Sequence, residues 1–351
     1  MFPETFVEYW VERLTKPGDL ILDPFCGRGT LPFQAMLMGR RAIGCDTNPV
    51  AYCISQAKTN APPLSHVIAR INELEAAYQP RPALQEAKRL PEFFWRAFHP
   101  STLAELVYLR QELRFRDSRR DCMVTALVLG SLHGEKDRSD RFLSNQMPHT
   151  ISTKPEYSMR FWKRHGQTAP KRDTFALLRR QAAFRYESER PRGRGLILNI
   201  DMRDLPRQKK HLPGPVRCVI TSPPYFDVTN SAEDQWLRLW FVGGPPCPTR
   251  LLFSRDDRHC APDKYWTLIA DMWRTLGLVL ARDSRIVIRV GATRIDPRRL
   301  VSGIEGAARA SRRRVRLVSH EVGEITNRQT NSFRPGSAGC KVEVDCEFAM
   351  A

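Results

Sequence analysis

The chain has 351 residues, 56 Lys and Arg against 38 Asp and Glu, and a net charge of +18. With 42% hydrophobic and 27% charged residues it has the composition of a soluble globular protein, long enough for two domains or one large domain with an insertion. No apolar run reaches the roughly 18 residues that span a bilayer, which excludes a membrane-spanning segment, and so large a basic excess points to a polyanionic partner, nucleic acid first.

The opening stretch, "MFPETFVEYWVERL", is acidic and amphipathic rather than signal-like, so a cytoplasmic location is expected. Residues 1–19 read as a helix, with Phe6, Tyr9, Trp10, Arg13 and Leu14 at helical spacing before Pro17-Gly18-Asp19. "LILDPF" follows as a short strand, and "GRGTLPFQAMLMG" as a glycine turn entering a helix. "RAIGCD" is a second strand, closed by Thr47-Asn48-Pro49, and "VAYCISQAKTN" a second helix. This alternation predicts an α/β fold with a doubly wound parallel sheet. From residue 61 to about 190 the chain reads as mainly helical, broken by turns such as "QPRPAL" and by a long basic connector, "SNQMPHTISTKPEYSMRFWKRHGQTAPKRD". Three further strands, in "RGLILNIDMRDL", "VRCVITSPPY" and "SRIVIRVGA", come next. A helix containing "YWTLIADMWRTLGLVLAR" lies between the last two, and "KVEVDCEFAM" alternates as an antiparallel edge strand does. The sheet domain is therefore expected in two parts, 1–60 and 191–351, interrupted by a helical insertion at 61–190.

The nine cysteines are odd in number and form no Cys-x-x-Cys pair, so neither a disulfide framework nor a zinc ribbon is expected, and no metal is predicted. Two turns carry the chemistry. In "DPFCGRGT", Asp23 ends a strand and Gly27 and Gly29 let the backbone approach a ligand. The third glycine of a pyrophosphate fingerprint would fall on Pro32, which favours a nucleoside ligand without phosphate. Asp46 ends the next strand, where an acid accepts hydrogen bonds from ribose hydroxyls, and Asp201 ends a third, with Asp204 as its competitor. In "TSPPY" two prolines stop a buried strand abruptly, since neither can donate to a ladder. Cys247, in "GGPPCPTR", stands away from any strand end and reads as a loop cysteine rather than a nucleophile.

"DPFCGRGT" resembles the S-adenosylmethionine-binding motif of the DNA amino-methyltransferases, and "TSPPY" resembles their catalytic motif. "FPETFVEYWVERLTKPGD" is similar to the segment that precedes the glycine motif in members with this motif order. The resemblance covers 1–60 and about 196–351. It implies a Rossmann-like, seven-stranded sheet with an antiparallel final strand and S-adenosyl-L-methionine as cofactor. It also implies transfer of a methyl group to an exocyclic amine, with N4 of cytosine favoured by Ser222, because Asp-Pro-Pro-Tyr is more typical of adenine enzymes. By the same resemblance Asp23, Pro24, Phe25, Gly27, Gly29 and Thr30 line the cofactor, Asp46 holds its ribose and Asp201 lies near its adenine. Ser222 and the carbonyl of Pro223 accept from the target amine beside Pro224, and Tyr225 stacks on a base flipped out of the duplex. Arg28 departs from the family, which often has a small residue there. The family setting implies restriction–modification or phage defence with partner proteins.

The insertion reads as the DNA reader. "RFWKRHGQTAPKR" and "RRQAAFRYESERPRGRG" mix cations with aromatics, with Asn145, Gln146 and Arg160 as base-edge candidates and Lys163 and Arg164 as further DNA contacts. "TNRQTNSFRPG" (326–336) reads as a loop bordering the site. N6-methylation of adenine, N2-methylation of an RNA guanine, and a non-catalytic DNA-binding protein on the same fold are the alternatives.

Overall fold

A computed structural model describes residues 2–134, 140–145, 154–226, 235–248, 262–292, 295–324, 340 and 342–351. Seven strands form a single sheet: β1 (Leu20–Asp23), β2 (Arg41–Cys45), β3 (Leu196–Leu198), β4 (Val216–Thr221), β5 (Leu280–Gly291), β6 (Val315–Glu324) and β7 (Val342–Met350), in the order β3-β2-β1-β4-β5-β7-β6. The first five run parallel, and β7 is antiparallel to both β5 and β6. This is a doubly wound, Rossmann-like arrangement with an antiparallel final strand. The strand order turns back between β1 and β4, and in open α/β sheets that switch point opens a crevice at the carboxyl ends of the strands.

Parallel central strands are covered on both faces, so their sequences read as continuous apolar runs. On one face Leu20, Leu22, Val219, Ile286 and Ile288 pack with α12 (Pro262–Val279) and α13 (Pro297–Ala307), around the buried Trp273 and Phe348. On the other, Ile21, Cys218, Ile220 and Val287 meet α1 (Glu4–Leu14) and α2 (Thr30–Leu37). The N-terminal helix is thus clamped to the sheet by Phe6, Val7, Trp10 and Val11. It occupies 4–14 within the span expected for it.

After α3 (Pro49–Thr59) the described residues form seven helices: α4 (Leu64–Ala77), α5 (Pro80–Ala87), α6 (Glu92–Ala97), α7 (Pro100–Glu112), α8 (Arg119–Ser131), α9 (Pro155–Arg164) and α10 (Thr174–Arg185). They share one core with Val50, Cys53 and Ala57 of α3, and with α11 (Trp236–Phe241), which lies beyond the Ser-Pro-Pro-Tyr turn in sequence. Phe94 touches Trp240 with ring centroids 4.5 Å apart, and Phe93 touches Trp236 at 5.0 Å. Chain from both sides of the helices therefore anchors them.

Four elements differ from the expectations. The basic connector contains α9, which starts with Pro155 at its first turn and buries Ser158 and Trp162 on one side; scattered polar residues hide that four-residue spacing. "VRLVSHEVGE" forms β6, whose residues are largely exposed on both faces, so no alternation marks it. β6 is the sheet edge, and β7 lies inside between β5 and β6. "LNID" ends as a strand at Leu198, and Asp201 caps a 3-10 helix at Met202–His211. No described helix is long and apolar enough to cross a membrane.

Trp273 is fully buried, 5.0 Å from the Phe348 ring, and donates its indole N–H to the Ile304 carbonyl at 3.1 Å. Trp273→Ala is expected to cost about 3–5 kcal/mol of stability, read from urea unfolding. A loss below about 1 kcal/mol would mean that this face of the sheet does not need the ring.

Candidate active site

The carboxyl ends of β1 and β4 are joined by one side-chain bond: Thr221 Oγ1 donates to Asp23 Oδ1 at 2.7 Å. Asp23 is 2% exposed, and the same oxygen accepts the Phe25 N–H at 3.0 Å. The 23–30 and 222–225 turns therefore leave the sheet side by side. Burial pushes the Asp23 carboxyl up to about 7, against the lowering effect of the Thr221 and Phe25 bonds.

The glycine turn is built on a left-handed backbone at Gly27 (φ +49°) and Gly29 (φ +74°). A Cβ on Gly29 would stand 2.7 Å from Ser55 Oγ, so only glycine lets α3 approach so closely. Ser55 also donates to the Gly27 carbonyl at 2.8 Å, propping the turn from beneath. At Gly27, by contrast, a Cβ would meet nothing within 4 Å, so the backbone there borders open space. Thr30 opens α2 directly after this turn, and the Pro24 carbonyl faces the Cys45 thiol at 3.3 Å.

Asp46 is half-buried, and it accepts the Gly27 N–H at 3.0 Å and the Asn48 N–H at 2.8 Å. Burial raises its pKa while those two amides oppose the rise. An ionised carboxylate offers about four acceptor positions, so a pair of hydroxyls fits beside the amides. The open space over Gly27 and the acid at the end of β2 together suit a nucleoside. Asn199 braces this turn, its Nδ2 donating to the carbonyls of Asp46 at 2.8 Å and Thr47 at 3.1 Å. Arg116 holds Asn199 in turn at 2.7 Å, while its guanidinium lies over the rings of Phe115 and Tyr52. Asp201 follows β3, next to β2 in the sheet, and accepts from the backbone N–H (2.9 Å) and Nε (2.8 Å) of Arg203. Asp204 is paired with Arg207 at 2.7 Å.

Thr221 ends β4, and the parallel pairing with β5 resumes as a single bridge from Phe226 to Ala292. Ser222-Pro223-Pro224-Tyr225 is the excursion between them, as two prolines without N–H groups demand. Tyr225 Oη donates to Glu343 Oε1 on β7 at 2.6 Å, and the Ser222 side chain hydrogen-bonds the same phenol. Burial, with Glu343 beside it, holds the phenol pKa well above its ordinary value. Arg28 is exposed beside the glycine turn, and its charge helps burial lower the pKa of both Lys58 and Arg238. Lys58 and Arg238 therefore lie within electrostatic reach of Arg28.

The expected DNA contacts divide. Arg160, Lys163 and Arg164 are exposed on one side of α9. Asn145 is 5% exposed, and its backbone N–H donates to the Ala97 carbonyl while Nδ2 faces those of Gln167 and Arg96 at 3.4 and 3.5 Å. An amide buried among helices cannot read a base edge, which corrects that assignment. Gln146 and the 326–336 stretch lie outside the described residues. Cys247 is exposed after α11, and among the described residues no group of three or more His, Cys, Asp or Glu could hold a metal. Thr221, Ser55, Asn199 and Glu343 were not singled out by sequence reasoning. Only Thr221, immediately before the Ser-Pro-Pro-Tyr turn, carried a signal.

The sheet and its two strand-end turns define a Rossmann-like α/β fold with two loops meeting at the switch point. Over residues 1–57 the chain matches the N6_N4_Mtase family of DNA methylases, the DNA amino-methyltransferases. Type II methyltransferase M.MjaII of Methanocaldococcus jannaschii is 42% identical over 57 residues, which span 16% of this chain and 11% of that enzyme. Among solved structures, TrmN from Thermus thermophilus aligns with a TM-score of 0.37 at 11% identity, over 100% of this chain and 49% of its own. The rRNA methyltransferase aviRa from Streptomyces viridochromogenes aligns at 0.33 and 12% identity, over 99% of this chain and 85% of its own.

Asp23 gives a pH prediction. Its folded-state value of about 7 lies above the ordinary 3.8, so the folded protein holds the proton more tightly than the unfolded chain. The resulting stabilisation is complete below about pH 4 and lost as pH rises through about 7, a swing on the order of 4 kcal/mol. Asp23→Asn keeps an acceptor for Thr221 and Phe25 and removes the titration. Its stability relative to wild type should therefore improve between about pH 4 and about pH 8 in denaturant unfolding. Parallel pH profiles would rule this out.

Proposed function

We propose that the protein is a DNA methyltransferase that uses S-adenosylmethionine to methylate an exocyclic amino group, N4 of cytosine. The observation that carries this reading is the bond between Thr221 and Asp23, which seats the glycine turn and the Ser-Pro-Pro-Tyr turn side by side. The cofactor, when bound, supplies an electrophilic methyl on a sulfonium. In this reading Asp46 accepts from the ribose hydroxyls, the backbone of Pro24, Phe25, Gly27, Gly29 and Thr30 lies along the methionine side with Asp23, and Asp201 sits towards the adenine. Ser222 Oγ and the Pro223 carbonyl accept the two N–H bonds of the target amine. That turns the nitrogen lone pair towards the methyl, and the task is one of orientation rather than covalent catalysis. Tyr225 stacks on the base, which must leave the duplex to reach the turn, and Pro224 keeps the turn rigid. Ser222, in place of an aspartate, favours cytosine over adenine.

The helices over 61–190 form the recognition part in this reading, with Arg160, Lys163 and Arg164 of α9 on DNA phosphates. The cations Arg28, Lys58 and Arg238 favour an anion at the mouth of the cleft.

Expression in a host without DNA modification, followed by mass spectrometry of nucleosides, is expected to yield N4-methylcytosine. N6-methyladenine would move the target to adenine, and unmodified DNA would overturn the reading. Ser222→Ala and Tyr225→Ala are each expected to lower turnover about a hundredfold with little change in cofactor affinity. Asp46→Ala should weaken cofactor binding about tenfold by calorimetry.

Charge on α9 is tested separately. Replacing Arg160, Lys163 and Arg164 with Gln should weaken DNA binding and flatten the slope of log K against log salt by about 0.9 for each phosphate that α9 no longer neutralises. An unchanged slope would remove α9 from the DNA interface.

A further inference from the structure

The Tyr225 phenol is not simply a ring at a strand end. Its oxygen donates to Glu343 at 2.6 Å, and the hydroxyl of Ser222 bonds to it from the other side. Glu343 is the second residue of β7 and pairs in register with Gly291 at the end of β5. Gly291 gives the ring its room, since a Cβ there would come 3.0 Å from Tyr225 Cε2 and 2.5 Å from the Cys340 sulfur. Behind Glu343 stands Arg289, with Nη1 3.6 Å from Glu343 Oε2. Arg289 is itself held by Asp345 through two bonds of 2.7 and 2.6 Å, and its guanidinium lies 3.8 Å over the Phe6 ring of α1. The side chains of Arg289, Glu343 and Asp345 are only 16%, 21% and 14% exposed.

One role for such a cluster is to stitch β5 to β7. Those strands are already in register over eight residue pairs, from Ser284 with Met350 to Gly291 with Glu343, and the phenol adds nothing to that ladder. What the cluster does place is a carboxylate against a hydroxyl of the Ser-Pro-Pro-Tyr turn. The polarity of hydrogen bonds then matters. An ionised carboxylate only accepts, whereas each hydroxyl has one proton to donate and lone pairs to accept with. With Glu343 accepting the phenol's hydrogen bond, the Tyr225 oxygen is left to accept from Ser222. Ser222, with its own proton directed to Tyr225, presents its lone pairs to whatever enters the turn. A target amine with two N–H bonds needs such an acceptor; a Ser222 proton aimed into the cleft would oppose it.

We propose that Glu343, held by Arg289, is a positioning residue that sets the direction of a hydrogen-bond chain running from the substrate amine through Ser222 and Tyr225, and fixes the Tyr225 ring at the same time. This rests on the reading of Ser222 as the acceptor for the target amine and of Tyr225 as the stacking ring.

The test uses the full chain. Methyl transfer from labelled S-adenosylmethionine to DNA is measured for wild type, Tyr225→Phe, Glu343→Ala, Glu343→Gln and the Tyr225→Phe/Glu343→Ala double variant. In parallel, 19F NMR follows protein labelled with 3-fluorotyrosine, the resonance of residue 225 being assigned by its absence from Tyr225→Phe. Tyr225→Phe and Glu343→Ala are each expected to lower kcat about tenfold while leaving the cofactor KM within about twofold. The double variant should fall no further than either single one, because both break the same chain. Glu343→Gln retains a carbonyl acceptor and should recover most of the rate, and the 19F resonance should shift in Glu343→Ala and return towards wild type in Glu343→Gln. Multiplying losses in the double variant, full activity of Glu343→Ala, or an unmoved resonance would overturn the positioning role. If Glu343→Ala does not fold, Tyr225→Phe decides: it keeps the ring and removes only the hydroxyl, so an undiminished kcat overturns the chain. A wild-type protein that methylates no DNA defeats the methyltransferase reading and this proposal with it. An active wild type with indifferent variants defeats the proposal alone.

Discussion

The site depends on a hydroxyl meeting a carboxyl at the point where the strand order reverses. Thr221 and Asp23 are 198 residues apart in sequence, yet both sit inside the protein at adjacent strand ends. A buried carboxyl is tolerable only when it is hydrogen-bonded or neutral, and Asp23 draws on both: two donors on one oxygen, and a pKa raised by burial. The bond sets β1 against β4 at their carboxyl ends. The glycine turn that leaves β1 and the proline turn that leaves β4 start from either side of that contact.

Around this point the protein uses backbone where side chains would be too large. Gly29 admits Ser55 of α3, and Gly291 admits the Tyr225 ring. The Gly27 amide reaches Asp46 on the neighbouring strand end, and Asn199 ties that turn to β3 and, through Arg116, to the helical insertion. The glycine-turn side of the cleft and the helices of the insertion are thereby linked by a short run of hydrogen bonds. α11 does the same from the proline-turn side, sharing its tryptophans with the insertion core.

Much of this was legible in the sequence because the chemistry restricts residue types. A strand that ends in Asp23 with glycines after it, and a strand that ends in two prolines, have few structural readings. The buried strands announce themselves as apolar runs, and α1 by its spacing. What stayed hidden was pattern without contrast or contact without proximity. β6 is exposed on both faces, and α9 is amphipathic under a polar composition. Asn145 shows the converse error: an amide in a polar stretch reads the same whether it faces solvent or, as here, holds carbonyls inside a bundle. Glu343 sits in a plain alternating strand, and only the β5–β7 pairing reveals that it meets Tyr225, 118 residues away.

The placement of β7 between β5 and β6 also constrains how the molecule can be made. During synthesis β6 leaves the ribosome before β7, yet among the described residues the only strand it hydrogen-bonds in the sheet is β7. Until β7 arrives, β5 presents an open edge to water and the Tyr225 phenol lacks its carboxylate. Contacts of such long sequence separation form slowly and leave edges unguarded meanwhile. The Tyr225–Glu343 contact is accordingly completed only once β7 has been translated.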